Sequence, residues 1–336
     1  MALLFADGMD LIGATANIVR RYDSITASVA WGAAFGRFGG GGIKVTDDDR
    51  LFSKSVAGSP QTCIVSFALF RSSTASQIDR CFGFDTSVSQ GGIQMFTNSA
   101  SSLIQVRRGA TVLGVDFTVS LNVWHWISIK YKAANIGGTY DVKVDGTNVF
   151  SFTGDTVNSG TETINIIKFG GDQTQDFTYD DIIIMDDTGS APFNDFLADT
   201  RIDTIQPNAV GDNAGFTAVP AVANHLNVDE AVPDDDTTYV ESEVTTTKDL
   251  YNMASMAFSP TAINAIQVVG QVTNPDSGTT QFKFKVKSGI TEGTGIAKSP
   301  PLGYTFFDEI FINNPDTAAA WTESEVNAMQ AGMEIV

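Results

Sequence analysis

Residues Trp124–Phe152 read WHWISIKYKAANIGGTYDVKVDGTNVFSF, and this stretch decides the fold. His125, Ile127, Ile129 and Tyr131 fall on one face of an extended chain, and Trp126, Ser128, Lys130 and Lys132 on the other. That period of two belongs to a half-buried antiparallel strand. Tyr140, Val142 and Val144 repeat the pattern, and Asp145-Gly146 follows directly. Asp-Gly between alternating segments signals a tight hairpin, because both turn residues must tolerate positive φ. The chain then returns through Val149, Phe150 and Phe152.

Short strands separated by turn residues continue on both sides of this hairpin. The front of the chain offers strands at 43–45, 62–70, 80–84, 93–96, 103–107, 111–113, 163–169 and 178–185. Their spacers, such as GRFGGGGIK, SQGGIQ and GGDQTQ, supply the left-handed backbone and side-chain turn bonds that tight connections require. Such a density of strands predicts a sandwich or jelly roll. The segment DDTGSAPFNDFLADTRIDTIQPN, 186–208, mixes turn residues with Phe193, Phe196 and Leu197 and reads as a connector anchored by aromatic contacts. The domain boundary is placed there, giving a β-sandwich over 1–191 and a second, smaller β-rich domain over 192–336. Strands resume at 265–272, 280–287 and 304–312, and Phe282, Phe284 and Val286 alternate with three lysines. Near the end, Thr322 and Glu325 form a capping box with Trp321 set to staple onto Val326. This predicts a short helix running to Gly332.

Composition narrows the function. The 336 residues carry 20 basic against 39 acidic side chains, a net charge of −19, which argues against nucleic acid because phosphate binding needs clustered cations. No apolar run approaches the roughly 20 residues of a membrane helix, and MALLFADGMD lacks the basic start of a signal peptide. The expectation is a protein made in the cytoplasm and not inserted in a membrane. Cys63 and Cys81, without CxxC spacing and in apolar surroundings, read as reduced core residues.

Catalytic constellations are sparse. A glycoside hydrolase needs two carboxylates about 5–9 Å apart, yet Glu162 is the only glutamate before Glu230. Asp180-Asp181 is the best-placed substitute, but neighbours on a strand point to opposite faces. His125 reads as a satisfied core histidine and His225 as an exposed one, with no GxSxG elbow or Cys-His signature beside either. Aspartates at 47–49, 186–187 and 234–236 are candidate oxygen ligands for calcium, against the simpler reading that they cap turns. The glycines of GRFGGGGIK precede a strand and lack a Walker lysine, so they form a turn. Around that turn Trp31, Phe35 and Phe38 are candidates for stacking on a sugar ring, against packing in a core or subunit interface.

Taken together, DGMDL, RRYDS, GRFGG, WHWISIKY with DVKVDG, the run FTYDDIIIMDDTGSAPFNDFLADTRID and NVDEAVPDDDTTYV resemble a family of tailed-bacteriophage virion proteins. Members carry a concanavalin A-like, laminin-G-type domain at the front. The resemblance implies a jelly-roll sandwich and a structural role in the tail module, at the tail tip, baseplate or fibre, without catalysis. It further implies contact with other virion structural proteins, assembly as a homo-oligomer, location in the virion and a host-surface contact role. By likeness to laminin-G-type sandwiches, Asp180 or Asp181 with loop carbonyls would hold calcium, the one cofactor left open. A carbohydrate-binding receptor-recognition module and a capsid decoration or head-fibre protein remain the alternatives.

Overall fold

The computed structural model describes residues 3–46, 50–72, 80–88, 91–97, 102–171, 176–276, 278 and 280–336. The Asp47–Asp49 cluster lies outside them. The chain divides into two compact units, Met1–Asp203 and Thr204–Val336. The division falls beyond the 191/192 boundary read from the sequence, because residues 192–203 pack back onto the first unit.

The strands of the first unit are β1 Leu3–Asp7, β2 Ser24–Ile25, β3 Val29–Gly32, β4 Gly42–Val45, β5 Arg50–Ser55, β6 Thr62–Arg71, β7 Arg80–Asp85, β8 Ile93–Thr97, β9 Leu103–Arg108, β10 Thr111–Thr118, β11 Trp124–Lys132, β12 Gly138–Val144, β13 Thr147–Gly154, β14 Ile166–Gly171 and β15 Phe177–Asp186. They form two antiparallel sheets. One has eight strands in the order β13-β12-β11-β6-β15-β4-β3, with β1 also on β15; the other has seven, β10-β9-β8-β7-β14-β5-β2. Strands distant in sequence sit side by side, as β6 does between β11 and β15, which is the crossover pattern of a concanavalin A-like jelly roll.

The sandwich core forms because alternate residues of both sheets face inward. Phe67, Leu69, Ile127, Ile129, Tyr131, Tyr140 and Val142 come from one sheet, and Phe82, Phe84, Ile93, Met95, Ile104 and Val106 from the other. Within the seven-stranded sheet, cross-strand registry lines up Phe52, Phe169, Phe82, Met95, Val106 and Leu113 as one inward row. Phe52 stacks on Phe169 at 4.9 Å, and Phe67 stacks on Phe82 across the sandwich at 5.1 Å. Each such pair adds about 0.5–1.5 kcal/mol beyond its area burial. The tyrosines place their hydroxyls on backbone: Tyr179 donates to the Cys81 carbonyl at 2.5 Å and accepts from the Gly170 N–H at 3.0 Å. Both cysteines are free and buried, and burial pushes the Cys63 thiol far above its ordinary range.

The hairpin read from the sequence is present. Asp145 and Gly146 adopt φ of 51° and 79°, values that glycine reaches without a steric penalty and aspartate reaches at small cost. The outward residues of β11 depart from expectation: Trp126 and Ser128 are both 2% exposed. The eight-stranded sheet is therefore buried on both faces in its middle.

In the second unit, β16 Pro207–Ala214, β17 Thr217–Val219, β18 Tyr239–Glu241, β19 Lys248–Met253, β20 Ile266–Val272, β21 Phe282–Ser288, β22 Thr291–Thr294, β23 Thr305–Phe311 and β24 Gln330–Ile335 form a five-stranded sheet, β16-β19-β24-β21-β22, and two ribbons, β17-β18 and β20-β23. Two apolar clusters fill it, one on Val286, Trp321, Val326 and Met329, the other on Phe216, Phe282, Phe284 and Ile335. Buried Asp249 is satisfied by the Phe216 N–H, the Asn224 amide and the Tyr251 hydroxyl. The capping box on Thr322 and Glu325 is in place, and Trp321 shares a cluster with Val326. The helix, however, spans only Glu323–Val326. Gly332 ends no helix. It lies in β24 between β19 and β21, where a Cβ would overlap the Asp249 carbonyl oxygen, so close strand approach fixes this glycine.

Candidate functional site

The two sets of site residues read from the sequence meet at one place, through a residue the sequence reading left out. Strand β15 carries a β-bulge between Asp180 and Ile183, with Asp181 at φ 51°. The bulge switches the inward phase from Phe177 and Tyr179 to Ile182 and Ile184. It also cancels the alternation that would have sent the two carboxylates to opposite faces. Both now meet Arg37, from the turn between β3 and β4. Asp180 Oδ2 accepts the Arg37 backbone N–H at 2.7 Å, and Asp181 Oδ2 lies 3.1 Å from the guanidinium.

Arg37 holds the segment that follows β15. Its guanidinium bonds Asp199 at 2.6 Å and the Thr200 carbonyl at 2.9 Å, and Asp181 Oδ1 accepts the Ile202 N–H at 2.6 Å. The same segment is tied to β11 and β12: the Trp126 indole donates to the Leu197 carbonyl, Lys130 pairs with Asp195, and Lys143 lies 4.3 Å over the Phe196 ring. Phe193 and Leu197 are buried. Residues 192–203 thus form a strap across the outward face of the eight-stranded sheet, which is what buries Trp126. The connector was legible as aromatic-anchored; its anchorage on a buried arginine was not.

Electrostatics at the bulge follow from burial. Desolvation, the neighbouring Asp181 charge and the Asp10 charge push the Asp180 carboxyl up to about 8 against two backbone N–H bonds that favour the anion. Asp181 is pushed up to about 6, since burial outweighs the Ile202 N–H and the guanidinium. A carboxyl that keeps its proton near neutral pH has the state a general acid needs. Here, though, both Asp180 oxygens accept backbone N–H bonds, from Asp181 and Arg37, and the residue is 5% exposed. The geometry is that of a clamp on the chain itself. As a calcium site the pair does not fit either, because Arg37 already supplies the cation. Among the described residues no three His, Cys, Asp or Glu side chains converge on a common point.

The aromatic trio does not make a stacking platform. Trp31 donates its indole N–H to the Met9 carbonyl at 2.7 Å and packs against the sandwich core. Phe35 turns back on Gly32, where a Cβ would sit 2.8 Å from its ring. Phe38 alone is exposed, at 53%, and its ring has the guanidiniums of Arg37 and Arg201 each 4.5 Å from its centre. His125 is half-buried at the hairpin, with Nδ1 2.7 Å from Asp145 Oδ2, in place of the core position expected from its strand face. His225, expected to be exposed, is half-buried. Asp186 and Asp234 cap turns through Thr188 and Thr238.

A second polar constellation escaped the sequence reading. On the outward face of the seven-stranded sheet, registry aligns Ser24, Ser53, Lys168, Gly83, Gln94 and Arg107 in one row. Lys168 pairs with Asp85 at 2.5 Å, and Arg107 lies 5.0 Å over Phe96. The sequence signal was one polar residue between apolar ones in IIKFGG and IQMFT, with Arg107 following Val106 in IQVRR, which alone does not say that these residues are neighbours.

No family model matches the chain, and no curated protein sequence matches it. Solved structures resemble it in fold. An endo-β-1,4-glucuronan lyase from the fungus Trichoderma reesei aligns at 12% identity over 54% of this chain and 94% of its own, with a TM-score of 0.42. The alginate lyase Aly36B aligns at 9% identity over 54% and 96%, TM-score 0.40. The receptor-binding domain of botulinum neurotoxin type G aligns at 13% identity over 55% and 48%, TM-score 0.38. At these identities the likeness is one of fold alone.

Proposed function

We propose that the chain is a structural component of a tailed-bacteriophage virion, at the tail tip, baseplate or fibre, whose sandwich unit meets the host surface without catalysing a reaction. The observation that carries this reading is the clamp. The junction 186–208, part of the most specific portion of the resemblance, is held to the chain's own scaffold, with Asp199 and Thr200 on Arg37 and the Ile202 N–H on Asp181. A surface component needs a locked scaffold and loops to contact neighbours, and self-association into a symmetric oligomer with other virion proteins is the assembly this role requires. Mass spectrometry of purified virions together with a reconstruction of the whole particle tests it. The chain is expected at stoichiometric copy number on the tail. Its absence from purified particles would overturn the reading, and a position on the head would replace the tail by a capsid decoration or head-fibre role.

A further inference from the structure

Strand β22 ends the five-stranded sheet of the second unit, with no strand on its other side among the described residues. Its hairpin with β21 fixes which backbone groups are left over. Gly295 donates to the Phe284 carbonyl at 2.9 Å, and the register sets Gly293 against Val286 and Thr291 against Ser288. Bonded pairs alternate with unbonded ones along an antiparallel ladder, so the N–H and C=O groups of Glu292 and Thr294 point away from β21. Among the described residues no hydrogen bond reaches these groups. The opposite edge, β16, is occupied. Register shifts break it, the Asn252 amide donates to the Val210 carbonyl at 2.9 Å, and the Asp212 N–H donates to Gln330 Oε1 at 3.0 Å.

Folded proteins guard an open edge with lysine, proline or a covering element. Strand β22 reads Thr-Glu-Gly-Thr, and its Thr294 is exposed. Its one charged side chain, Glu292, is turned onto Lys248 at 2.5 Å, with Lys285 at 3.7 Å. At the two ends of the edge stand Ile290 and Ile296, 92% and 63% exposed. These positions are self-complementary. About a two-fold axis through Gly293, antiparallel pairing of two copies sets Glu292 of one opposite Thr294 of the other on both sides of the axis. Each such pair exchanges two N–H···O bonds, so every free group finds a partner. The same register brings Ile290 of one copy opposite Ile296 of the other. A two-residue slip one way sets Glu292 against Glu292, which like charges disfavour. A slip the other way calls on the Ile296 N–H, which already donates to Glu309 Oε2 at 3.2 Å.

We propose that β22 is the self-association edge of this chain, joining two copies antiparallel about Gly293 into one sheet continuous across both. The contact is isologous, as a two-fold axis requires. It goes beyond the virion reading, which requires an oligomer and assigns no surface to it. A four-residue edge buries less area than a permanent interface, so the dimer is reversible. Sedimentation equilibrium of the full chain from about 1 to about 300 µM tests it. The expected result is a monomer–dimer equilibrium in which amide exchange at Glu292 and Thr294 slows as concentration rises, while exchange at Gly293, already bonded to β21, stays unchanged. Ile290→Lys and Ile296→Lys should each raise the dissociation constant at least about tenfold. Both sites are exposed, and thermal melts check that the fold is kept. Because the register sets the two positions opposite each other, Ile290→Lys with Ile296→Glu should associate about tenfold more tightly than Ile290→Lys with Ile296→Lys. A monomer at every concentration, a trimer or larger species, single variants that associate like the parent, or equal affinity of the two double variants would each overturn the proposal. Incorporation into virions is measured separately, so either reading can fail while the other stands.

Discussion

Replacing Arg37 tests the clamp most directly. Its side chain is 7% exposed and that of Asp181 2%, whereas Asp199 is 62% exposed. The Asp181 arm therefore dominates at neutral pH, since orphaning a buried charge costs more than losing an exposed pair, which contributes about 1 kcal/mol or less. Arg37→Met keeps the stem volume and removes the charge. Asp181 can then stay buried only by taking a proton; with the guanidinium present its carboxyl is already pushed up to about 6, so at about 1.4 kcal/mol per pH unit its share of the loss is capped at about 1.4 kcal/mol at pH 7 and is close to zero at pH 5. Urea unfolding followed by the tryptophan fluorescence of the sandwich is expected to show a loss of about 2 kcal/mol at pH 7, a fall in melting temperature of roughly 4–8 °C, and a loss of about 1 kcal/mol or less at pH 5, where only the exposed Asp199 arm is left to lose. Adding Asp181→Asn should recover more than half of the pH 7 loss. Asparagine tolerates the left-handed backbone at 181 and keeps an acceptor for the Ile202 N–H. A variant within about 0.5 kcal/mol of the parent at pH 7, an equal loss at both pH values, or no recovery in the double variant would refute the clamp.

Three further outcomes follow from the same structure. Asp180 and Asp181 have folded-state values raised to about 8 and about 6, above the ordinary carboxylate value, so the native state holds their protons after the unfolded chain has released them; their contribution is full below about pH 4 and declines as pH rises to 8. Unfolding free energies measured from pH 5 to 8.5 should fall less steeply in Asp181→Asn than in the parent, and parallel slopes would count against the raised values. Tyr179→Phe leaves the Cys81 carbonyl and the Gly170 N–H without their core partner and should lose about 1–3 kcal/mol, read by denaturant midpoint at unchanged slope; a loss below about 0.5 kcal/mol would mean the hydroxyl is dispensable. Thr322→Ala removes the cap of the Glu323–Val326 helix and should cost the second unit about 1 kcal/mol, with Thr322→Ser retaining most of the stability; hydrogen exchange of the Glu325 amide reports the change directly.

Several features were legible because their causes are local. The β11–β12–β13 hairpins follow from a two-residue period and an Asp-Gly turn, the capping box from Thr322 and Glu325, and the burial of both cysteines from their apolar neighbours. The helix was read too long because AMQAGMEI carries no breaker before Gly332, and pairing with β19 and β21 overrides the local propensity. Strand alternation sends Asp180 and Asp181 to opposite faces, and the bulge between Asp180 and Ile183 suspends that rule, which brings both carboxylates to Arg37.

What the sequence determined by itself is which side of each strand is apolar, and hence that the chain builds a sandwich followed by a second β unit. The tertiary structure alone decided that Arg37 would clamp Asp181 and Asp199 from residues far away in the chain, and that Lys168, Gln94 and Arg107 would share one row. The reason is physical: alternation fixes the face of a side chain, but its neighbours on that face are set by strand order and register, which depend on contacts between segments that the sequence keeps apart.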